Sequence, residues 1–318
     1  MADELDRAEP SARRPSAGVA LGVYEKAMPR TNDWDALFGN AREAGYTFVD
    51  LSVDESPERI DRLAWEPAER RRVVEAAHRQ EMALGALCLS AHRAIGPGSA
   101  HRHVRRRALA ILLEAIDLCA DLGVSLLQVA GYYAYYEPAD PGARQRYVDV
   151  LRAGADHAAR RGVLLGIENV DGTDITSIGA ASRVCDDVGS AYLGLYPDVG
   201  NLAEQGLDVV EQLRAGHGRM FALHVKDTLP GHPRFVPMGN GIVPWEAAFA
   251  ELARQEWSGR VLVEMWNDSE PDALEISSRA REFIVSRLTD AGIPLISPWD
   301  VDETLRFPAQ LIALGDRE

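Results

Sequence analysis

One repeat governs what this chain can fold into: residues at helical apolar spacing, then a glycine, then a short apolar run. It appears first in "WDALFGNAREAGYTFVDLS", where Trp34, Leu37, Phe38 and Ala41 share a helical face and Gly45 stops the helix. "ALAILLEAIDLCADLGVSLLQVAG" repeats it, with Leu112, Ile116 and Cys119 on one face and Gly123 as the stop. Two further helices end at Gly162 and Gly189, and "GHGRMFALHV" and "EWSGRVLVEM" complete the series, the last with Gly259 at the stop position. A glycine just past a helix adopts the left-handed conformation that satisfies the final carbonyls. The apolar runs lack strict alternation, as strands in a parallel sheet do when both faces are covered.

Eight such strands start near residues 18, 46, 83, 124, 163, 192, 219 and 260, each followed by a helical pattern. Eight βα units fit a closed (β/α)₈ barrel, with a doubly wound open sheet as the rival. The 318 residues contain no linker or low-complexity tract, so a single α/β domain is expected over residues 17–290. "NDSEPDAL" and "HPRFVPMGNG" read as loops within it. Residues 1–16, "MADELDRAEPSARRPS", lack the apolar stretch of a secretory signal and read as a disordered extension. The more apolar residues 291–318 are expected to pack on the barrel or on a partner subunit.

The formal net charge of −15 argues against a nucleic-acid partner, whose phosphates need clustered Lys and Arg. The basic run "HRHVRRR" at 101–107 reads as a solvated helix start. No apolar run approaches the roughly 18 residues of a membrane span. Cys88, Cys119 and Cys185 lie far apart without CxxC spacing, as expected of reduced thiols in a cytoplasmic protein.

Four consecutive strands end on a ligand-competent side chain: Glu168 in "VLLGIENV", Asp198 in "LGLYPDVGNL", His224 in "MFALHVKD" and Glu264 in "RVLVEMWN". In a barrel the carboxyl ends of the strands converge on one rim. Three carboxylates meeting there would repel one another unless a cation sat among them. With one imidazole and no thiolate, the set suits a single divalent ion, Mn²⁺, Zn²⁺ or Co²⁺, and Mg²⁺ less well. One strand-end carboxylate is ordinarily a helix cap, but four in succession need a common cause.

"LGVYEKAMP", "VDLSVDES", "CLSAHR", "QVAGYYAYYE", "LGIEN", "LYPDVGNL", "HVKDT" and "VEMW" together resemble the L-ribulose-5-phosphate 3-epimerase family, within the xylose-isomerase-like TIM barrels. The likeness covers roughly residues 18–290. It implies that Glu168, Asp198, His224 and Glu264 bind one divalent cation and that Glu168 and Glu264 are the catalytic acid and base. It further implies a small-molecule ketose phosphate as substrate, L-ribulose 5-phosphate or L-xylulose 5-phosphate. The alternatives are a free ketose, a hexulose 6-phosphate or, less in keeping with the charge, a phosphodiesterase related to endonuclease IV. A homodimer or larger homo-oligomer is expected, since barrels of this type commonly pair.

Candidate substrate contacts are His92 and Arg93 after strand 3, Asn201 after Asp198, Lys226 two residues past His224, and Glu25 after strand 1. Asp54 and Glu55 are similar candidates, and the tyrosines of "GYYAYYE" are expected to wall the pocket. The Gly239–Gly241 pair of "MGNGIVPW", before a helix expected from Pro244, is the candidate phosphate cradle; a plain tight loop explains it equally well.

Overall fold

The computed structural model describes residues 18–304, with side chains through residue 301. The extension expected over residues 1–16 lies outside the described residues. Eight parallel strands form one sheet: β1 (Val19–Tyr24), β2 (Phe48–Val53), β3 (Ala83–Leu89), β4 (Leu126–Ala130), β5 (Leu164–Glu168), β6 (Leu193–Leu195), β7 (Ala222–Val225) and β10 (Gly259–Val263). Two short strands, β8 (Asp227–Leu229) and β9 (His232–Val236), make a separate antiparallel hairpin.

Strand β1 pairs with both β2 and β10, and β10 pairs with β7. Between β6 and β7 the ring closes through bridges at Leu195–Met220 and Asp198–His224, with His224 N donating to the Pro197 carbonyl at 2.8 Å. The fold is a (β/α)₈ barrel, and every barrel strand starts within three residues of its expected position.

Every residue of β1, β2, β4 and β10 is buried, which is why these runs show no alternation. Outside the barrel, the helix Arg102–Leu122 buries Ile111, Leu112, Ala115, Ile116 and Cys119. Inside, bulky rings fill the cylinder, and glycine on neighbouring strands makes room for them. A side-chain carbon on Gly22 would lie 2.1 Å from the Phe48 ring. Gly22→Ala is therefore expected to cost about 2–3 kcal/mol through overpacking, read as a lower denaturation midpoint.

Gly123 and Gly162 close their helices in the left-handed conformation, at φ 72° and 70°. Gly259 does not. The helix Trp245–Arg254 ends at Gln255, Glu256 takes the left-handed position (φ 51°), and Gly259 already pairs with Val19 as the first residue of β10. Its lack of a side chain admits the Trp257 ring, 2.5 Å from where Cβ would stand.

The "HPRFVPMGNG" loop is a second correction, because its first half is strand β9. Pro233 is tolerated there since the hairpin is only two-stranded, and the Pro230–Gly231 pair that turns the chain (Gly231 φ 74°) was the signal for it. After residue 291 the chain returns to the amino ends of the strands. Ile296 N donates to the Val19 carbonyl at 2.9 Å, and Val301 is buried among Ala20, Phe48 and Ala83. Residues beyond 304 lie outside the described ones.

Candidate active site

At the carboxyl ends of the strands, Glu168, Asp198, His224 and Glu264 converge: ligand-capable atoms of all four lie within 4.8 Å of one another, and all four residues are buried. Glu168 closes β5, His224 lies within β7 and Glu264 follows β10. Asp198 is the N-cap of the short helix Val199–Glu204, its Oδ1 accepting from Gly200 N (2.7 Å) and Asn201 N (3.1 Å). That capping fixes the carboxylate with Oδ2 as its remaining face. Asn169 sets the same segment from behind, accepting from Asp198 N at 2.9 Å and donating to the Asp198 carbonyl at 3.0 Å.

His224 Nδ1 lies 3.0 Å from Glu168 Oε1 and 3.9 Å from Glu264 Oε1, so this nitrogen faces the centre. Its Nε2 points down the barrel toward Cys88 Sγ, 4.0 Å away. The Gln128 side-chain amide donates to Glu168 Oε2. Lys226 Nζ stands 2.7 Å from Asp198 Oδ2 and 3.1 Å from Glu264 Oε2. Burial works against charge on His224, yet Glu264 and Glu168 raise its pKa to about 9. Burial likewise lifts Asp198 above the usual carboxylate range. At Glu264 burial is overcome by the Lys226 and His224 charges, which hold it low.

Three oxygen donors and one imidazole nitrogen, crowded and shielded from water, are a donor set for one divalent ion of hard to intermediate character. The residues present fit such an ion. Asp50, Cys88 and His224 form a second close group beneath it. There Asp50 is already engaged by Ala86 N and by the Tyr196 hydroxyl, both at 2.8 Å, and burial pushes the Cys88 thiol up. That group is the floor of the site.

A cavity of about 420 Å³ opens above the centre, a volume suited to a small metabolite. Arg93, Asn201 and Lys226 line it, as do Glu168, Glu264, Asp54 and Glu55. Tyr132 is the member of "GYYAYYE" that walls it; Tyr136 is 68% exposed.

Two expected contacts are corrected. His92 is fully buried, its Nε2 donates to the Ala108 carbonyl at 3.0 Å, and burial pushes its pKa down to about 4. Glu25 is held by Arg62 in two hydrogen bonds of 2.6 and 2.9 Å and accepts from Ser52 N. Neither lines the cavity; both brace the loops around it.

Of the two readings open for the Gly239–Gly241 loop, the contacts favour the tight loop over the phosphate cradle. The loop's amides already hold an anion, the Asp227 carboxylate, with Gly239 N at 2.8 Å and Gly241 N at 3.0 Å from Oδ2. A side chain on Gly241 would overlap Asp227, which explains the glycine. Arg234, Asp171 and Trp266, none of them among the candidates named from the sequence, also line the cavity. Arg234 lies 3.0 Å from Asp171 Oδ2, with its guanidinium 5.0 Å from the centre of the Trp266 ring. Trp266 was within reach, two residues past Glu264.

A closed barrel carrying an acidic, histidine-containing centre beneath an open cavity defines an enzyme of the (β/α)₈ class. The sequence model of the family described as "Xylose isomerase-like TIM barrel" matches residues 38–286. L-ribulose-5-phosphate 3-epimerase UlaE of Salmonella heidelberg (strain SL476) is 37% identical over 278 residues, covering 87% of this chain and 98% of that protein. The protein of the same name from Escherichia coli O157:H7 (strain EC4115 / EHEC) is 36% identical with the same coverage. Among solved structures, an L-ribulose 3-epimerase aligns with a TM-score of 0.73 at 19% identity, over 86% of this chain and 96% of that one. The D-allulose 3-epimerase of Methylomonas sp. in complex with D-allulose aligns at 0.70 and 18%, over 86% and 98%. The chain belongs to the L-ribulose-5-phosphate 3-epimerase family of xylose isomerase-like TIM barrels, and is an isomerase-class enzyme of the sugar-epimerase type. Among the described residues, no helix is long and apolar enough to cross a membrane.

Proposed function

We propose that this chain is a divalent-metal-dependent 3-epimerase of a ketopentose 5-phosphate, interconverting L-ribulose 5-phosphate and L-xylulose 5-phosphate. The observation that carries the reading is the convergence of two glutamates from separated strands on one buried donor set under the cavity. Glu168 follows from β5 and Glu264 from β10, with β6 and β7 between them around the rim. Glu168, Asp198, His224 and Glu264 would hold the divalent cation, which would supply positive charge to offset the negative charge that develops on the sugar as C3 loses its proton.

The chain's own residues do the rest. Glu168 and Glu264 both line the cavity, so each can meet a bound sugar. One removes the C3 proton and the other delivers a proton to the opposite face, and the roles exchange in the reverse direction. Gln128 orients Glu168 and Lys226 orients Glu264 through the contacts described above. Asp198 and His224 serve as ligands.

The phosphate end belongs at the cavity rim, where Arg93 and Arg234 stand 3.7 and 3.0 Å from the single carboxylate of Asp171. Two guanidinium groups per carboxylate leave positive charge for a dianion. The test is incubation of ketopentose 5-phosphates, their free sugars and hexulose 6-phosphates in D₂O with Mn²⁺, Zn²⁺ or Co²⁺, analysed by mass spectrometry and chromatography. The expected result is the C3 epimer of a ketopentose 5-phosphate carrying one solvent deuterium. Absence of carbon-bound exchange in every candidate would remove the epimerase reading, and preference for a free ketose would remove the phosphate.

A further inference from the structure

Phe235 combines three features that ordinary packing does not account for. It is 79% exposed, its backbone is left-handed at φ 63°, and it lines both the main cavity and a second one of about 200 Å³ beside it. A bulky side chain at positive φ is a genuine outlier, because its Cβ crowds the backbone. An exposed ring recovers nothing from burial in exchange.

The hairpin shows how the conformation arises. Asp227 pairs with Val236 and Leu229 with His232, so Pro233, Arg234 and Phe235 on β9 all face the single residue Thr228 on β8. Bulges of this kind re-aim side chains, and they recur beside active sites. In a regular strand neighbouring residues point to opposite faces. Here Arg234 and Phe235, adjacent in sequence, line the same two cavities together with Trp266. The bulge and the left-handed turn thus aim a charged and an aromatic group at one space.

We propose that Phe235 is the substrate-capping residue of this enzyme, closing over the C–H face of the bound sugar and setting its affinity. The inference rests on the epimerase reading above. Unlike Glu256, whose left-handed backbone ends a helix, Phe235 ends none and lines a cavity, and strained residues cluster at ligand clamps. An aromatic ring suits the occupant, because a sugar presents an apolar C–H face that a flat ring can cover while Arg234 stays on the polar side.

The experiment measures steady-state kinetics on the ketopentose 5-phosphate, melting temperature and oligomeric state for four proteins: wild type, Phe235→Ala, Phe235→Tyr and Phe235→Gly. The alanine variant is expected to raise KM roughly tenfold with kcat within about twofold, as removal of uniform binding requires. Tyrosine keeps the ring and stays near wild type. Glycine raises KM as alanine does, yet raises the melting temperature by roughly 2 °C, because it relieves the strained φ. Stability gained while affinity is lost is a signature that a merely structural residue does not give. An unchanged KM in Phe235→Ala overturns the proposal. So does a KM rise accompanied by a change in oligomeric state, which assigns the ring to a subunit contact. A melting temperature that falls in Phe235→Gly overturns it as well, by showing that the ring serves the fold. A wild-type protein that epimerises no ketose phosphate removes the parent reading, and this one with it.

Discussion

Glu264→Gln is expected to lower epimerisation by about 10³-fold while leaving the fold intact, and Glu168→Gln to do the same. Glutamine keeps the volume of the side chain and one carbonyl oxygen, so Lys226 at 3.1 Å retains an acceptor at position 264. What disappears is the capacity to take up or return a proton. Because both residues are also proposed ligands, turnover has to be measured at saturating cation, with bound metal per chain determined by elemental analysis. The two-base arrangement makes a sharper demand. A variant lacking one glutamate still has the other, which can exchange the C3 proton of whichever epimer presents it. Each variant should therefore wash solvent deuterium into one epimer and not its mirror at C3, and the two variants should differ in which epimer they label. Near wild-type turnover in either fully loaded variant removes that residue from the pair. Labelling of the same epimer by both variants would put both glutamates, or a third base, on one face of C3 and remove their assignment to opposite faces.

How far the sequence reveals this arrangement depends on whether a feature is local. The barrel is legible because each βα unit writes its own pattern: a helical face, a capping glycine such as Gly123 (φ 72°) and an apolar run. The four-residue centre is legible for the same reason, since Glu168, Asp198, His224 and Glu264 each end a strand and the fold brings strand ends together. Substrate contacts are another matter. His92 and Arg93 are neighbours in one turn, yet His92 bonds to the Ala108 carbonyl while Arg93 lines the cavity. Nothing in "CLSAHR" distinguishes them, because the choice is made by a helix that begins nine residues later. Glu25 is hidden similarly: its partner Arg62 is 37 positions away, on a turn with no sequence signature. Gly259 sits where a helix stop belongs, but the helix is ended by Glu256 (φ 51°), a residue type that rarely adopts that conformation. Local propensity locates elements, and tertiary partners decide which polar side chains remain free to act.

Asp227→Ala should be among the most destabilising single changes near the site, costing about 3–4 kcal/mol although the residue lies outside the proposed chemistry. Asp227 is 2% exposed and accepts five hydrogen bonds. Oδ1 takes Thr228 N (3.0 Å) and Val243 N (3.3 Å), and Oδ2 takes Gly239 N (2.8 Å), Gly241 N (3.0 Å) and Trp245 Nε1 (3.3 Å). Hydrogen bonds to a charged acceptor are stronger than neutral ones, and several of these donors would be left buried and unmet. The full sum of five such losses is not reached, because Gly239 and Gly241 can turn to water once released. Asp227→Asn separates the two oxygens: it retains one acceptor, and its new N–H₂ confronts donors on the other side, so an intermediate loss is expected. Denaturation midpoints measure the stability, and amide hydrogen exchange at Gly239, Gly241 and Val243 locates it. Because the same segment carries Arg234 and Phe235 into the cavity, KM should rise in both variants while kcat at saturation changes less. If the loop were instead a substrate-phosphate cradle, inorganic phosphate would protect the Gly239 and Gly241 amides in the wild-type protein. With Asp227 already in place, phosphate should leave their exchange unchanged.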